Sequence, residues 1–433
     1  MAELKICVLG LWHLGTVTAA CLASVGHRVV GLDFDSQVVS QLSKGCPPVF
    51  EPGLEALTRQ GIEEGRLSFT VDPGQAVQGI DVLWTAYDTP VDDDDHADVQ
   101  SVLDRIELVL PYLPPRTLIL ISSQLPAGTT RKLEAKHQSL CAERELTFAY
   151  SPENLRLGKA IAAFTKADRV IVGLRSERDR PVLDKILRPF TERIEWMSVE
   201  SAEMTKHALN AFLATSVSFI NEIAVICEHA GADAREVERG LKSESRIGPK
   251  AYLSPGAAFA GGTLARDISY LVEIAGENDV RSPLLRGVRE SNDYHRQWAQ
   301  RKMAALMTDL REKTIAVWGL TYKPGTDTLR RSSAIEFCEW LYDKGARVRA
   351  HDPAVKVLPA TLAAKMKLCE SPLDALNEAD ALVIATEWPD YATVDVDSIL
   401  SRMHSPLVLD AGRFLARQLD SNPGVRYITV GKS

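Results

Sequence analysis

Lys5-Ile-Cys-Val-Leu-Gly10-Leu-Trp-His-Leu-Gly15 is the stretch on which the fold turns. A short run of apolar side chains enters a turn bounded by glycines, and Thr16 to Val25 continues with residues suited to a helix. A second short run, Arg28 to Leu32, then stops at Asp33. Strand, glycine turn, helix and strand in that order predict a β-α-β unit. In such a unit glycines permit the tight turn and let the helix N-terminus approach a pyrophosphate, while an acid about 20 residues on takes the ribose hydroxyls. Gly10, Gly15 and Asp33 fit those roles. Asp33 would repel a 2′-phosphate, so NAD is expected rather than NADP. Trp12 does not fit: it stands at the second glycine position, where the backbone comes closest to the phosphates. The alternative is a structural turn whose phosphate space Trp12 fills.

Working outward, apolar strands are predicted at Val82 to Tyr87, Leu118 to Ser122 and Arg169 to Gly173, separated by helical segments, as a doubly wound sheet requires. The four acids Asp92 to Asp95, after Thr89-Pro90, read as a solvated loop tip. From Ser198 to about Asp309 the strand signal stops, and Met204, Ala208, Phe212, Val217, Ile223 and Val225 recur at helical spacing. A second β-α-β unit follows. Thr314 to Trp318 enters Gly319-Leu-Thr-Tyr-Lys323, Ser333 to Lys344 reads as a helix, and Arg347 to His351 enters Asp352-Pro353. Ala381 to Thr386 and Leu407 to Asp410 add strands. The expected fold is α/β, with two Rossmann-like doubly wound domains (residues 1–196 and 313–433) joined by a helical central domain (197–312).

Bulk properties narrow the function. A chain of 433 residues exceeds what one hydrophobic core usually organises. Hydrophobic content of 45% with 25% charged residues is ordinary for a globular protein, and no apolar run reaches the roughly 20 residues of a bilayer span. The start lacks a basic region followed by an apolar region and a cleavage site, so a cytoplasmic address is expected. A formal charge of -8 argues against nucleic-acid or membrane-surface binding and leaves small molecules as partners. Seven scattered cysteines suit reduced thiols, and nine histidines without a His-x-x-x-His pair predict no metal site.

With these segments in order, the chain resembles the UDP-glucose/GDP-mannose dehydrogenase family, the NAD-dependent nucleotide-sugar 6-dehydrogenases, over essentially its whole length. The resemblance is carried by Glu51-Pro-Gly-Leu54, Asp88-Thr-Pro90, Ala97-Asp98, Ser151-Pro-Glu153, Lys206 with Asn210 and Ala211-Phe212, Arg246-Ile-Gly248, Gly261 with Asp267, Tyr322-Lys-Pro324, Arg330, Asp352-Pro353 and Asp410-Ala-Gly-Arg413. It implies that the first domain holds NAD, with Gly10, Trp12, Gly15, Asp33, Thr89 and Arg330 at the cofactor. It implies a homodimer formed by the helical middle and a nucleotide-sugar covered by the last domain. Lys206 and Asn210 would sit at the reacting sugar C6, Glu153 nearby as acid/base, and Asp267 beside the water or alkoxide. Arg246, Lys323, Arg330 and Arg413 would grip pyrophosphate and uridine, with Leu155 also at the substrate. The chemistry is consistent: hydride loss from a primary alcohol needs a partner for the hydroxyl proton and a donor for the developing alkoxide. Guanidinium forks suit phosphate oxygens.

Four positions depart from the family, and all fall on its second oxidation. Ala260-Gly-Gly-Thr-Leu-Ala-Arg-Asp267 places Thr263 at the family's nucleophilic cysteine and Arg266 at the adjacent lysine. Gln124 stands where a threonine helps hold the hydrolytic water, and Leu157 replaces an acid. A threonine hydroxyl is a poor nucleophile without a dedicated base. The expectation is a nucleotide-sugar 6-dehydrogenase without a thioester intermediate, stopping at the aldehyde or oxidising its hydrate. An epimerase-type enzyme using transient oxidation and a catalytically silent nucleotide-sugar binder are the alternatives, the latter because Trp12 disturbs the cofactor turn at the same time.

Overall fold

The computed structural model describes residues 3–90, 97–153, 155, 157–260 and 262–432; the acidic run 92–95 and Gly261 lie outside the described residues. The chain divides into two compact units, Met1–Ala208 and Leu209–Ser433.

In the first unit the strands are β1 (Lys5–Leu9), β2 (Arg28–Leu32), β3 (Leu67–Thr70), β4 (Val82–Thr85), β5 (Leu118–Ile121), β6 (Thr147–Tyr150), β7 (Val170–Leu174) and β8 (Ile194–Ser198). They form one sheet in the order β3-β2-β1-β4-β5-β6-β7-β8. Every pairing is parallel except β6 with β7. Ile6, Cys7, Val8 and Leu9 are all fully buried, because helices cover both faces of a parallel sheet; this is why β1 reads as a continuous apolar run and not as an alternation. Leu14, Val17 and Leu22 of the helix His13–Ser24 pack one face with Val8 and Trp84. Leu83, Ile119 and Phe148 pack the other with Cys7 and Leu9. The chain order reverses between β1 and β4, and open parallel sheets take their ligands outside the carboxyl ends of the strands at such a point.

The second unit repeats the plan. β9 (Thr314–Trp318), β10 (Arg347–His351), β11 (Met366–Leu368), β12 (Ala381–Ile384), β13 (Leu407–Asp410) and β14 (Arg426–Ile428) form a sheet in the order β11-β10-β9-β12-β13-β14, parallel throughout. The same unit holds the helices Ala234–Ser243, Thr263–Glu277, Pro283–Arg296 and Trp298–Leu306. The fold class is therefore α/β with parallel sheets and a helical stretch between them in the chain.

One helix, Val199–Ala230, has 32 residues and is long and apolar enough to cross a membrane, contrary to the expectation that no run reaches that length. Its apolar half follows Asn210, beyond the polar residues that interrupt its first turns. Glu203, Lys206, His207, Asn210 and Asn221 of this helix are buried within the protein.

Candidate active site

At the first switch point the local geometry admits only glycine at two places. Gly10 has φ of 93°, and a Cβ there would lie 2.8 Å from the Tyr87 ring. A Cβ on Gly15 would lie 1.6 Å from the Gly10 carbonyl oxygen, so the helix can close on the turn only without a side chain. Leu11 N–H donates to Asp33 Oδ2 at 2.7 Å and Asp35 N–H donates to Oδ1 at 3.0 Å, which fixes the carboxylate just past β2. Each oxygen keeps a lone pair for a further donor such as a ribose hydroxyl. Trp12 is 52% exposed.

Asp33, Phe34, Tyr87, Pro90, Asp98 and Arg105 line a cleft of about 490 Å³ beside this turn. The Arg105 guanidinium carbon lies 5.4 Å from the Phe34 ring centroid and 5.9 Å from that of Tyr87. Flat apolar walls with a carboxylate at one end suit an adenosine moiety. Thr89 is buried and donates its hydroxyl to the Gln124 carbonyl at 2.7 Å, joining the loops after β4 and β5.

Glu153 lies in the segment after β6. That segment is tied to the sheet by Ser151, whose N–H donates to Ile121 O at 2.9 Å and whose hydroxyl donates to Ile171 O at 2.9 Å. Leu155 N–H donates to Glu153 Oε2 at 2.6 Å, folding the segment on itself. Lys206 Nζ donates to the Glu153 backbone carbonyl at 2.6 Å, and Lys206 is only 7% exposed. The structure thus brings Lys206 and Glu153 together through the main chain. Leu155 packs against the core and lines, with Leu14, Trp84, Glu153 and Phe164, a cavity of about 620 Å³.

The turn of helix bearing Lys206 is anchored on both sides by residues the sequence did not single out. Glu203, fully buried, accepts from Gly128 N–H at 2.6 Å, Thr130 N–H at 3.1 Å and the Thr130 hydroxyl at 2.6 Å. His207 Nε2 lies 3.0 Å from the Leu125 carbonyl. A buried carboxylate facing only N–H and O–H donors is well satisfied without a cation.

In the second unit Asn210 Nδ2 donates to Asp267 Oδ2, and Asp267 is fully buried. Asp267 lies one turn beyond Thr263 on the helix Thr263–Glu277. Thr263 opens that helix after Gly262, is exposed, and has no side-chain hydrogen bond within its unit among the described residues.

The residues of the expected cationic grip differ in exposure and partners. Arg246 is highly exposed, with its guanidinium 3.1 Å from Glu244. Lys323 is exposed, 5.4 Å from the Tyr322 ring centroid, and Arg330 is exposed. Arg413 is instead engaged within its own unit: Nη1 donates to Asp233 Oδ2 at 3.0 Å, Nε donates to Thr429 Oγ1 at 3.1 Å, and Nη2 lies 2.8 Å from Asp233 Oδ1 as an ion pair. Burial by itself would raise the Asp233 carboxyl, but the Arg413 guanidinium and the Arg235 N–H outweigh it and leave the group below its ordinary value. Asp352, the second unit's counterpart of Asp33, accepts from Leu320 N–H, Thr321 N–H, the Thr321 hydroxyl and Trp388 Nε1 on one oxygen, at 2.7 to 3.1 Å. Its other oxygen accepts only from Ala354 N–H at 2.9 Å, the same load that each oxygen of Asp33 carries.

Cys7, Cys21, Cys227, Cys338 and Cys369 are buried, and burial pushes the Cys21 thiol up to about 12. Cys227, on the long helix, packs among Trp298, Met303 and Ile315. Cys46 is exposed and Cys141 partly so.

Three segments match the UDP-glucose/GDP-mannose dehydrogenase family: its NAD binding domain over residues 4–191, its central domain over 200–294 and its UDP binding domain over 316–417. The UDP-glucose 6-dehydrogenase of Rhizobium meliloti is 35% identical over 99% of this chain and 100% of its own length. That of Pseudomonas aeruginosa is 33% identical over 99% of this chain and 98% of its own. A UDP-glucose dehydrogenase structure from Pyrobaculum islandicum superposes with a TM-score of 0.86 at 29% identity, covering 100% of this chain and 98% of that one. A UDP-D-ManNAc dehydrogenase from Pyrococcus horikoshii gives 0.85 at 26% identity, covering 99% of both chains. Fold, cofactor turn and matches define an NAD-dependent oxidoreductase acting on the CH-OH group of a nucleotide-sugar. The chain belongs to the UDP-glucose/GDP-mannose dehydrogenase family.

Proposed function

We propose that this protein oxidises the primary alcohol at C6 of a nucleotide-sugar, UDP-glucose or a close analogue, in one two-electron step to the aldehyde, without an acyl-enzyme intermediate. Bound NAD supplies the hydride acceptor. Gly10, the Trp12 backbone, Gly15, Asp33, Thr89 and Arg330 are the residues we assign to holding it. Lys206 and Asn210, one turn apart on one face of the long helix, are assigned to the C6 oxygen, where the ammonium and amide donate to the developing alkoxide. Glu153 and Asp267 are assigned to the hydroxyl proton. Arg246, Lys323, Arg413 and Leu155 are assigned to the nucleotide-sugar, Arg413 chiefly by holding the wall of its pocket through Asp233.

The observation that carries the reading is Thr263: an exposed hydroxyl at a helix start, with no base bonded to it among the described residues of its unit. Such an alcohol remains protonated and attacks an aldehyde poorly. Replacing it should therefore matter little. Thr263→Ala is expected to keep NADH formation within about three-fold of the native rate, against the losses of several orders of magnitude that removal of a true nucleophile brings; a loss of that size would overturn the reading.

The same reading keeps the three-part division at 196 and 312, a cytoplasmic location and a homodimer. The dimer is supported by the long helix, where Met204 (37%), Phe212 (68%), Phe219 (46%) and Ile226 (61%) are exposed along one stripe. An apolar stripe of that length is characteristic of a surface that another chain covers. Phe212→Asp should lower the mass measured by light scattering to that of one chain.

A further inference from the structure

Glu51 belongs to no catalytic assignment, yet it is only 4% exposed. One of its oxygens lies 3.1 Å from His13 Nε2 and accepts from Gly158 N–H at 2.7 Å; the other accepts from Ala160 N–H at 2.8 Å. Among the described residues no lysine or arginine pairs with it. His13 is the first residue of the helix that follows the Gly10 turn, and Gly158 to Ala160 closes the segment that begins at Ser151 and bears Glu153. One buried carboxylate therefore joins the cofactor turn to the far end of the acid/base segment, across 38 and 107 to 109 positions of sequence. Gly158, at φ of 84°, supplies the left-handed backbone of the Leu157-Gly158 turn just before Ala160.

We propose that Glu51 is a positioning residue for the oxidation, holding the 151–160 segment in register with the cofactor turn, and that His13 is the partner through which the turn sets that register. The inference rests on the reading that Glu153 acts at C6. The physical reason for the design is that the Ser151 end is fixed by β5 and β7, whereas the Gly158 end has no strand pairing; without Glu51 the Gly158 and Ala160 N–H groups would lose their acceptor and that end would lose its polar tie to the cofactor turn. Displacement of a reacting group by about 1 Å costs on the order of 100-fold in rate.

The test uses the full chain with NAD and UDP-glucose, and the variants Glu51→Gln, His13→Ala and His13→Gln. Glu51→Gln and His13→Ala are expected to lower kcat by about ten-fold or more while KM for NAD moves less than about three-fold. His13→Gln keeps an N–H donor toward Glu51 and should recover most of the rate. Hydrogen-deuterium exchange of the 151–160 peptide, measured without substrate, should quicken in the first two variants and return toward native in the third. Unchanged exchange, a preserved kcat, or a His13→Gln variant no better than His13→Ala would overturn the proposal. His13 is at the edge of the node, so its variants decide the matter if Glu51→Gln fails to fold. Should the native protein form no NADH, the functional reading falls, and exchange alone decides whether Glu51 holds the segment.

Discussion

Gly15 sits directly against the carbonyl oxygen of Gly10, where a Cβ would lie 1.6 Å away. Backbone cannot yield at such a distance as the end of a flexible side chain can. Gly15→Ala is expected to displace the helix start and to weaken NAD binding by at least ten-fold, as measured by calorimetry, since the helix N-terminus would no longer face the pyrophosphate. Trp12, exposed beside the turn, allows the opposite expectation: Trp12→Gly should change NAD affinity by less than about ten-fold.

The Glu203 carboxylate satisfies three donors of the segment after β5. Glu203→Ala leaves two buried N–H groups and a hydroxyl without their acceptor, at about 1–3 kcal/mol for each group so stranded. The thermal midpoint should drop by several degrees, and Lys206, one turn from the anchor, should lose its hold on the Glu153 carbonyl, so kcat falls together with stability.

Asn210 donates to a carboxylate that is fully buried. Asn210→Ala removes one donor from Asp267 and should cost about 1–3 kcal/mol in unfolding free energy. Asp267→Asn keeps the shape but cannot take a proton; a fall in kcat of about 100-fold or more in steady-state assays is the expected result.

Buried histidines set an acid limit. Burial lowers the pKa of His27, with Lys185 adding to the effect and Glu3 opposing it, and both of its ring nitrogens lack a hydrogen-bond partner among the described residues. Burial likewise lowers His295, despite its contact with the Gly256 carbonyl at 2.8 Å. A base whose folded pKa lies below its ordinary 6.5 binds its proton more readily when unfolded. Stability is therefore intact above that value and is lost as the pH falls from 6.5 toward the folded pKa. Thermal midpoints should decline over that interval, and His27→Leu should flatten the decline.

Much of this was readable from the chain because the decisive segments are local. β1, β2, β9, β10 and β13 begin and end where the apolar runs and their following glycine or acid place them. The first helix starts at His13, three residues before the predicted Thr16, since the turn is tighter than its glycine spacing suggests. β3, β8, β11 and β14 were not legible: they are short and carry exposed or half-buried residues, so their patterns resemble loops. β6 was missed as well: no glycine or acid follows Tyr150 to mark its end, as Asp33 marks that of β2. Within the site, Gly10, Gly15 and Asp33 were legible because one turn brings them together. The Glu51 node and the Arg413–Asp233 pair were not, since they join positions 38 to 180 residues apart that only the folded sheets bring into contact.

The most direct test is the stoichiometry of NADH per sugar, measured with UDP-glucose and excess NAD alongside intact-protein mass spectrometry during turnover. One NADH per sugar, an aldehyde trapped at C6 and an unmodified enzyme mass are predicted. Two NADH per sugar with a uronic acid product and an acyl adduct on Thr263 would contradict the account.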